Sequence, residues 1–294
     1  MPEGRIVRAL SGFYDVKSEG VIYTCKGRGV FRKKKITPLV GDIVSFDKTS
    51  KQEGYIVEIK PRINELVRPA IANITQAILV SSIVDPDFSS FLLDRFLVLI
   101  ESKRIRPIIV FTKADLATED QLRDITFYER EYKKLDYHVE IISIKSKHTL
   151  EPLKQLLSDE ITVVAGQSGV GKSSILNAMD PSLFIKTDTI SKTLGRGKHT
   201  TRHIELVEIN GGLVADTPGF SSLDFNELEA EVLTDYFPEF RIRKHKCKFR
   251  GCMHNKEPKC NIKESVDLGE ISKFRYDHYL RFLKEIQARK SRYM

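Results

Sequence analysis

Ile161-Thr162-Val163-Val164-Ala165-Gly166-Gln167-Ser168-Gly169-Val170-Gly171-Lys172-Ser173-Ser174 is the stretch on which the reading of the chain turns. Residues Ile161–Ala165 are apolar or β-branched and predict a buried strand, and Gly166 to Ser173 match G-x-x-x-x-G-K-[ST] in full. A helix pattern, Lys172–Met179, follows at once. Strand, glycine-rich loop and helix are the context this motif needs. The glycines let successive backbone N–H groups curl around a β-phosphate. Lys172 reaches the β- and γ-oxygens, Ser173 ligates Mg²⁺, and the positive end of the helix dipole faces the phosphates. Gly166, Gln167, Ser168, Gly169, Val170, Gly171, Lys172, Ser173 and Ser174 form the expected phosphate-contacting set.

Downstream, Asp216-Thr217-Pro218-Gly219 follows the apolar strand Gly212–Ala215. This D-x-x-G sets a carboxylate near the Mg²⁺ shell and a glycine N–H within reach of the γ-phosphate. Between the two motifs lies Gly195-Arg196-Gly197-Lys198-His199-Thr200-Thr201-Arg202, a basic loop in which Thr200 or Thr201 can complete the Mg²⁺ shell. The magnesium set is therefore Ser173, Thr200, Thr201 and Asp216. Upstream, Thr112-Lys113-Ala114-Asp115 ends another apolar strand and resembles the guanine motif N-K-x-D. Asp115 accepts from the ring and exocyclic N–H groups of guanine, which adenine does not offer in that arrangement. Lys113 lays its stem over the base, and Ser143 before Ile144-Lys145 resembles the last guanine-contacting element. A kinase or ATPase reading is disfavoured by Asp115. An ordinary GTPase carries its phosphate loop first and its base motif late; here the order is reversed, as in a circular permutation.

Residues 1–68 read as short strands, Arg5–Ala9, Gly12–Val16, Val21–Cys25, Gly29–Arg32, Gly41–Phe46 and Tyr55–Ile59, separated by Gly, Pro, Asp and Lys turns. So small a sheet must close, which predicts an oligonucleotide-binding (OB) barrel, with a Src-homology-3-like barrel as the rival. Residues 69–225 alternate apolar strands with helices and predict a mainly parallel sheet covered on both faces. Residues 226–294 are helical and basic. The chain is thus read as a multidomain α/β protein of three units, 1–68, 69–225 and 226–294. Its 294 residues, 41% hydrophobic and 30% charged, exclude a disordered chain. The lack of a long apolar run or leader pattern predicts a cytoplasmic protein without membrane contact.

Charge is segregated. Residues 1–70 carry 14 Lys+Arg against 8 Asp+Glu, residues 71–225 carry 18 against 21, and residues 226–294 carry 16 against 11. Basic ends around an acidic middle suit contact with a polyanion through the ends. Phe31-Arg32-Lys33-Lys34-Lys35 marks one such surface. The other surrounds Cys247-x₄-Cys252-x-His254-x₅-Cys260, where Arg241, Arg243, Lys244, Lys246, Lys248 and Arg250 crowd into ten residues. Cys247, Cys252, His254 and Cys260 offer a closed tetrahedral Cys₃His set, the arrangement of a structural zinc. His245 is read as part of the basic patch and His278 as packing. Monomer is the default expectation.

This whole arrangement resembles the ribosome small-subunit-dependent GTPase A (RsgA) family across essentially all 294 residues. The resemblance implies an OB barrel, a permuted GTPase and a zinc domain. It also implies action late in small (30S) subunit assembly, binding to 16S rRNA, one structural zinc, and GTP with Mg²⁺ hydrolysed to GDP. Two positions depart from the usual pattern: Thr112 stands where asparagine is commoner, and Thr75 replaces an expected acidic residue. The position after D-x-x-G is Phe220, which cannot orient water as a glutamine does. His199 is the best internal candidate for that task, a role the resemblance also supports, so His199, Lys172 and Thr201 are the expected catalytic set. The alternative from a different class is a nucleic-acid-binding module with a vestigial nucleotide site.

Overall fold

The fold is taken from a computed structural model that describes residues 1–29, 31, 36–67, 69–183, 204–216 and 224–290. Strands β1 (Glu3–Leu10), β2 (Phe13–Ser18), β3 (Val21–Gly27), β4 (Ile43–Lys48) and β5 (Glu53–Ile59) build the barrel. Alternation explains which face closes. Ile6, Val16, Tyr23, Cys25, Val44, Phe46 and Ile56 point inward and are buried. The strands neighbour one another in the order β1-β2-β3-β5-β4, and β4 returns to β1 through Glu3↔Ser45. Only β3 and β5 run parallel within it. That closed five-stranded order is the OB arrangement rather than the Src-homology-3-like one.

One expected strand is corrected. Over Gly29–Arg32, Gly29 and Phe31 are helical, not extended. The Phe31 N–H donates to the Arg28 carbonyl at 3.0 Å, and this turn buries the phenyl ring against the barrel core. Burying a large ring outweighs the β-propensity of Val30 and Phe31. Val30 and Arg32–Lys35 lie outside the described residues, as does most of the basic run.

After the barrel, Arg62 clamps the buried Asp42 with two bonds of 2.7 and 2.8 Å, and a short hairpin, β6 (Glu65–Leu66) and β7 (Ile71–Ala72), leads onward. The second unit then alternates β8 (Gln76–Ser82), α1 (Ser90–Ser102), β9 (Arg106–Thr112), α2 (Glu119–Lys133), β10 (His138–Ile141), α3 (Lys147–Gln155), β11 (Ile161–Ala165), α4 (Lys172–Met179), β12 (Ile204–Ile209) and β13 (Gly212–Asp216). The order β10-β9-β8-β11-β13-β12 is parallel up to β13, and β12 closes it antiparallel. Strand β8 shows why both faces are covered. Ala77 and Leu79 pack with Leu93, Phe96 and Leu97 of α1, while Ile78 and Val80 pack with Leu153 of α3 and Ile175 of α4. Helix α2 starts at Glu119, because Thr118 forms a capping box with Gln121.

The barrel and this sheet are not separate. Arg8↔Glu205 and Ala9↔Ile204 pair β1 with β12, giving one eleven-stranded sheet among the described residues, and Lys17 bonds Glu208 beside the seam. The carboxy-terminal region adds α5 (Pro238–Arg241), α6 (Asn261–Asp267) and α7 (Lys273–Lys290) around a third core of Phe237, Phe240, Tyr279 and Phe282. A buried ionic knot joins it to the second unit. Arg275 of α7 bonds Asp94 of α1 at 2.5 Å and Glu239 of α5 at 2.7 Å, and the Tyr132 hydroxyl of α2 donates to Asp94 at 2.8 Å. His278, expected as packing, is buried with its Nδ1 2.6 Å from Asp94 and its ring against Phe91. No helix of the described residues is long and apolar enough to cross a membrane.

Candidate nucleotide site and metal centre

β11 delivers the glycine-rich loop at its carboxy-terminal end, the edge where parallel sheets place ligands. Gly166 has φ +148°, and a Cβ there would sit 2.3 Å from the Val80 carbonyl of the neighbouring strand. Only glycine allows β8 and the loop to approach so closely. Gly171, at φ +97°, starts α4, and the Lys172 ammonium bonds the Gly166 carbonyl at 2.9 Å and the Gln167 carbonyl at 2.5 Å. The lysine is therefore held over the loop's concave side.

The base motif comes to the same place from β9. Thr112 is buried, and its hydroxyl donates to the Val170 carbonyl at 2.7 Å. The threonine that stands where asparagine is commoner thus ties the base motif to the phosphate loop. Lys113, left-handed at φ 62°, turns its ammonium onto the Asp85 carbonyl. The Asp115 carboxylate takes the Ser143 hydroxyl at 2.8 Å on Oδ1 and lies 2.8 Å from the Lys145 ammonium on Oδ2. Lys145 and then Ser143 hold the Asp115 carboxyl below its ordinary range. Thr149 braces this turn: it accepts from the Ser143 N–H at 3.1 Å and bonds the Ser143 carbonyl at 3.0 Å.

Strand β13 runs parallel to β11 and ends at Asp216, so the D-x-x-G backbone begins beside the phosphate loop. The Asp216 side chain and Thr217, Pro218, Gly219 and Phe220 lie outside the described residues, as do Gly195–Arg202 with His199, Thr200 and Thr201. Thr75 bonds across to β11 at both its hydroxyl and its amide, so it pins the strand's first residue, Ile161. Sequence reading missed Thr149, the Asp85 carbonyl and the Lys145–Asp115 pair. Thr149 had a local signal, a hydroxyl in the first turn of α3. The Asp85 contact is long-range and had none.

The cysteine cluster assembles before and at the start of α6. The ligand atoms of Cys247, Cys252, His254 and Cys260 all lie within 4.8 Å of one another. Cys247 Sγ and Cys260 Sγ are 3.9 Å apart, and His254 Nδ1 lies 3.6 and 3.3 Å from them. Tetrahedral bonds to a zinc-sized ion would set S···S at ~3.8 Å and N···S at ~3.6 Å. The donors fit a metal ion. Burial pushes the Cys252 thiol up to about 12 and the His254 imidazole down to about 4. The imidazole is then neutral with its lone pair available, while buried thiolates require a cation. Around the cluster, Arg243 and Lys244 face Glu270 and Asp235, and Lys246, Lys248 and Arg250 are exposed.

With this geometry in place, the similarities are informative. The description "RsgA GTPase" matches residues 59–226 and "RsgA N-terminal domain" matches residues 3–56. The small ribosomal subunit biogenesis GTPase RsgA 2 of Oceanobacillus iheyensis is 64% identical over 293 residues, spanning 100% of both chains. That of Bacillus subtilis is 53% identical over 298 residues, again spanning 100% of both. Among solved structures, YloQ, described as a circularly permuted GTPase, superposes with a TM-score of 0.86 at 49% identity over 98% of this chain and 96% of its own. YjeQ from Thermotoga maritima gives 0.87 at 36% identity over 97% and 98%.

Proposed function

The chain belongs to the RsgA GTPase family, and on that premise we propose that it hydrolyses GTP to GDP and phosphate during late maturation of the small (30S) ribosomal subunit, stimulated by that subunit. The single observation that carries the nucleotide chemistry is the Thr112–Val170 bond of 2.7 Å, which joins a base motif and a phosphate loop in permuted order. Asp115 with Ser143 reads guanine, and Lys113 borders the base. The backbone from Gly166 to Ser174 cradles the phosphates, and Lys172 neutralises them. Ser173, Asp216 and Thr200 or Thr201 hold Mg²⁺, which draws charge from the phosphate oxygens. Gly219 meets the γ-phosphate. His199 orients the attacking water, with Lys172 and Thr201 completing the catalytic set.

Cys247, Cys252, His254 and Cys260 hold one structural zinc, all four positions being protein ligands. The basic ends contact 16S rRNA phosphates, and the protein works in the cytoplasm as a monomer of three units, 1–68, 69–225 and 226–294. The test is labelled GTP and ATP turnover by purified protein, with and without small subunits. GTP-selective turnover stimulated by the subunit is expected; ATP turnover at an equal rate, or none for either, refutes the reading. A His199→Ala variant that keeps subunit-stimulated turnover within about twofold removes His199 from the mechanism.

A further inference from the structure

Both oxygens of Asp115 are already engaged. Ser143 donates to Oδ1 at 2.8 Å, and the Lys145 ammonium lies 2.8 Å from Oδ2. The Lys145 backbone N–H donates to the Ser143 hydroxyl at 3.2 Å, so residues 143–145 close around one side of the carboxylate. A guanine edge presents two donors, the ring N1–H and the exocyclic amine, and pairing both takes both oxygens. A hydroxyl on Oδ1 leaves that oxygen's second lone pair for the base. A full cation on Oδ2 is a stronger competitor. Its side chain is 71% exposed on a flexible four-carbon stem, so it can move aside.

We propose that Lys145 determines base specificity as a displaceable counter-ion: guanine binds by moving its ammonium off Oδ2 of Asp115. The inference rests on Asp115 being the base reader. Hypoxanthine carries the N1–H but no exocyclic amine. It needs one oxygen and can use Oδ1, so Lys145 handicaps guanine more than hypoxanthine. The lysine therefore narrows the preference for guanine while neutralising the carboxylate.

Affinities of the full chain for GDP, GTP and IDP at fixed Mg²⁺ test this, in the parent and in Lys145→Met and Lys145→Arg. Lys145→Met should tighten GDP and GTP by about twofold to fivefold, the range of an exposed ion pair. IDP should gain less, so the GDP-to-IDP preference rises, and Lys145→Arg should behave as the parent. Unchanged or weaker GDP binding in Lys145→Met overturns the proposal, since the lysine then acts on the ligand's side. Equal gains for GDP and IDP overturn it too. Asp115→Asn, measured alongside, separates the two failures. If it leaves GDP affinity unchanged, the base reading itself falls; if it weakens GDP and Lys145→Met changes nothing, only the counter-ion falls.

Discussion

Cys247, Cys252, His254 and Cys260 lie within fourteen residues, whereas Thr112 reaches Val170 across 58 positions and Asp115 reaches Ser143 across 28. The cysteine cluster needs little chain to be fixed in space, and its donors close on one point with S···S and N···S spacings of 3.9 and 3.3 Å that suit a single ion. The nucleotide site is assembled at the ends of five neighbouring parallel strands, β10, β9, β8, β11 and β13, so the sheet fixes its geometry. A local site stands or falls with its ligand, while a distributed site tolerates the loss of one contact better but depends on the whole sheet. The buried Asp94–Arg275–Glu239 knot runs between the two regions and bears on whether they are independent.

The largest expected effect is on the local site. Removing zinc with a chelator, or replacing Cys260 with Ser, should loosen residues 226–290, because metal binding of about 10 kcal/mol or more is coupled to folding in such small sites. Elemental analysis should find one zinc per parent chain, and amide exchange should rise in α6 and α7 while β8 and β11 stay protected. Equal protection in both forms would make the cluster a set of ordinary buried thiols.

Arg275→Met comes next. It leaves Asp94 and Glu239 buried without their cation, and breaking such a buried pair costs about 3–5 kcal/mol. Thermal unfolding should shift down by several degrees. If GTP affinity also falls more than about threefold, the two centres are coupled through α1 and the contrast drawn between them weakens.

Lys172→Ala should lower GTP turnover by about 10²–10³, the usual loss when one positioned charge is removed from a developing anion. The fold should be retained, since the ammonium bonds carbonyls of its own loop, Gly166 and Gln167, rather than joining distant elements through them. Turnover within tenfold of the parent would exclude this loop as the active site.

Thr112→Val is the finest probe. It removes the hydroxyl bond to Val170 with little change of shape and should weaken GTP by about fivefold to thirtyfold, from about 1–2 kcal/mol. Thr112→Asn should restore binding if an amide can make the same tie. No loss in Thr112→Val would mean that the sheet alone holds the loop, which would sharpen the contrast with the metal centre.

Much of this was legible in residue order. The phosphate loop follows from Gly166, Gly171, Lys172 and Ser173, because close backbone approach and a terminal cation restrict the residue types. The cysteine spacing marks out the Cys₃His cluster because soft donors packed so densely suit one ion. The strand expected over Gly29–Arg32 was misread, because Val30 and Phe31 look extended locally and only the barrel core offers Phe31 a place to be buried. Lys145 was passed over as a neighbour of Ser143, since nothing in sequence aims an exposed lysine at a carboxylate thirty positions upstream.

By itself, the sequence determined the permuted order of the motifs, the glycine-rich loop and the four residues of the Cys₃His cluster, the alternation that closes the barrel and covers the sheet, and the basic ends. All are short-range patterns or residue chemistries that leave few alternatives. Only the tertiary structure decided that β1 pairs with β12, that Arg275 sits between Asp94 and Glu239, that Thr112 ties to Val170, and that both oxygens of Asp115 are taken. Those contacts join residues far apart in the chain. Their energies depend on burial and on distances of a few tenths of an ångström, which no local pattern encodes.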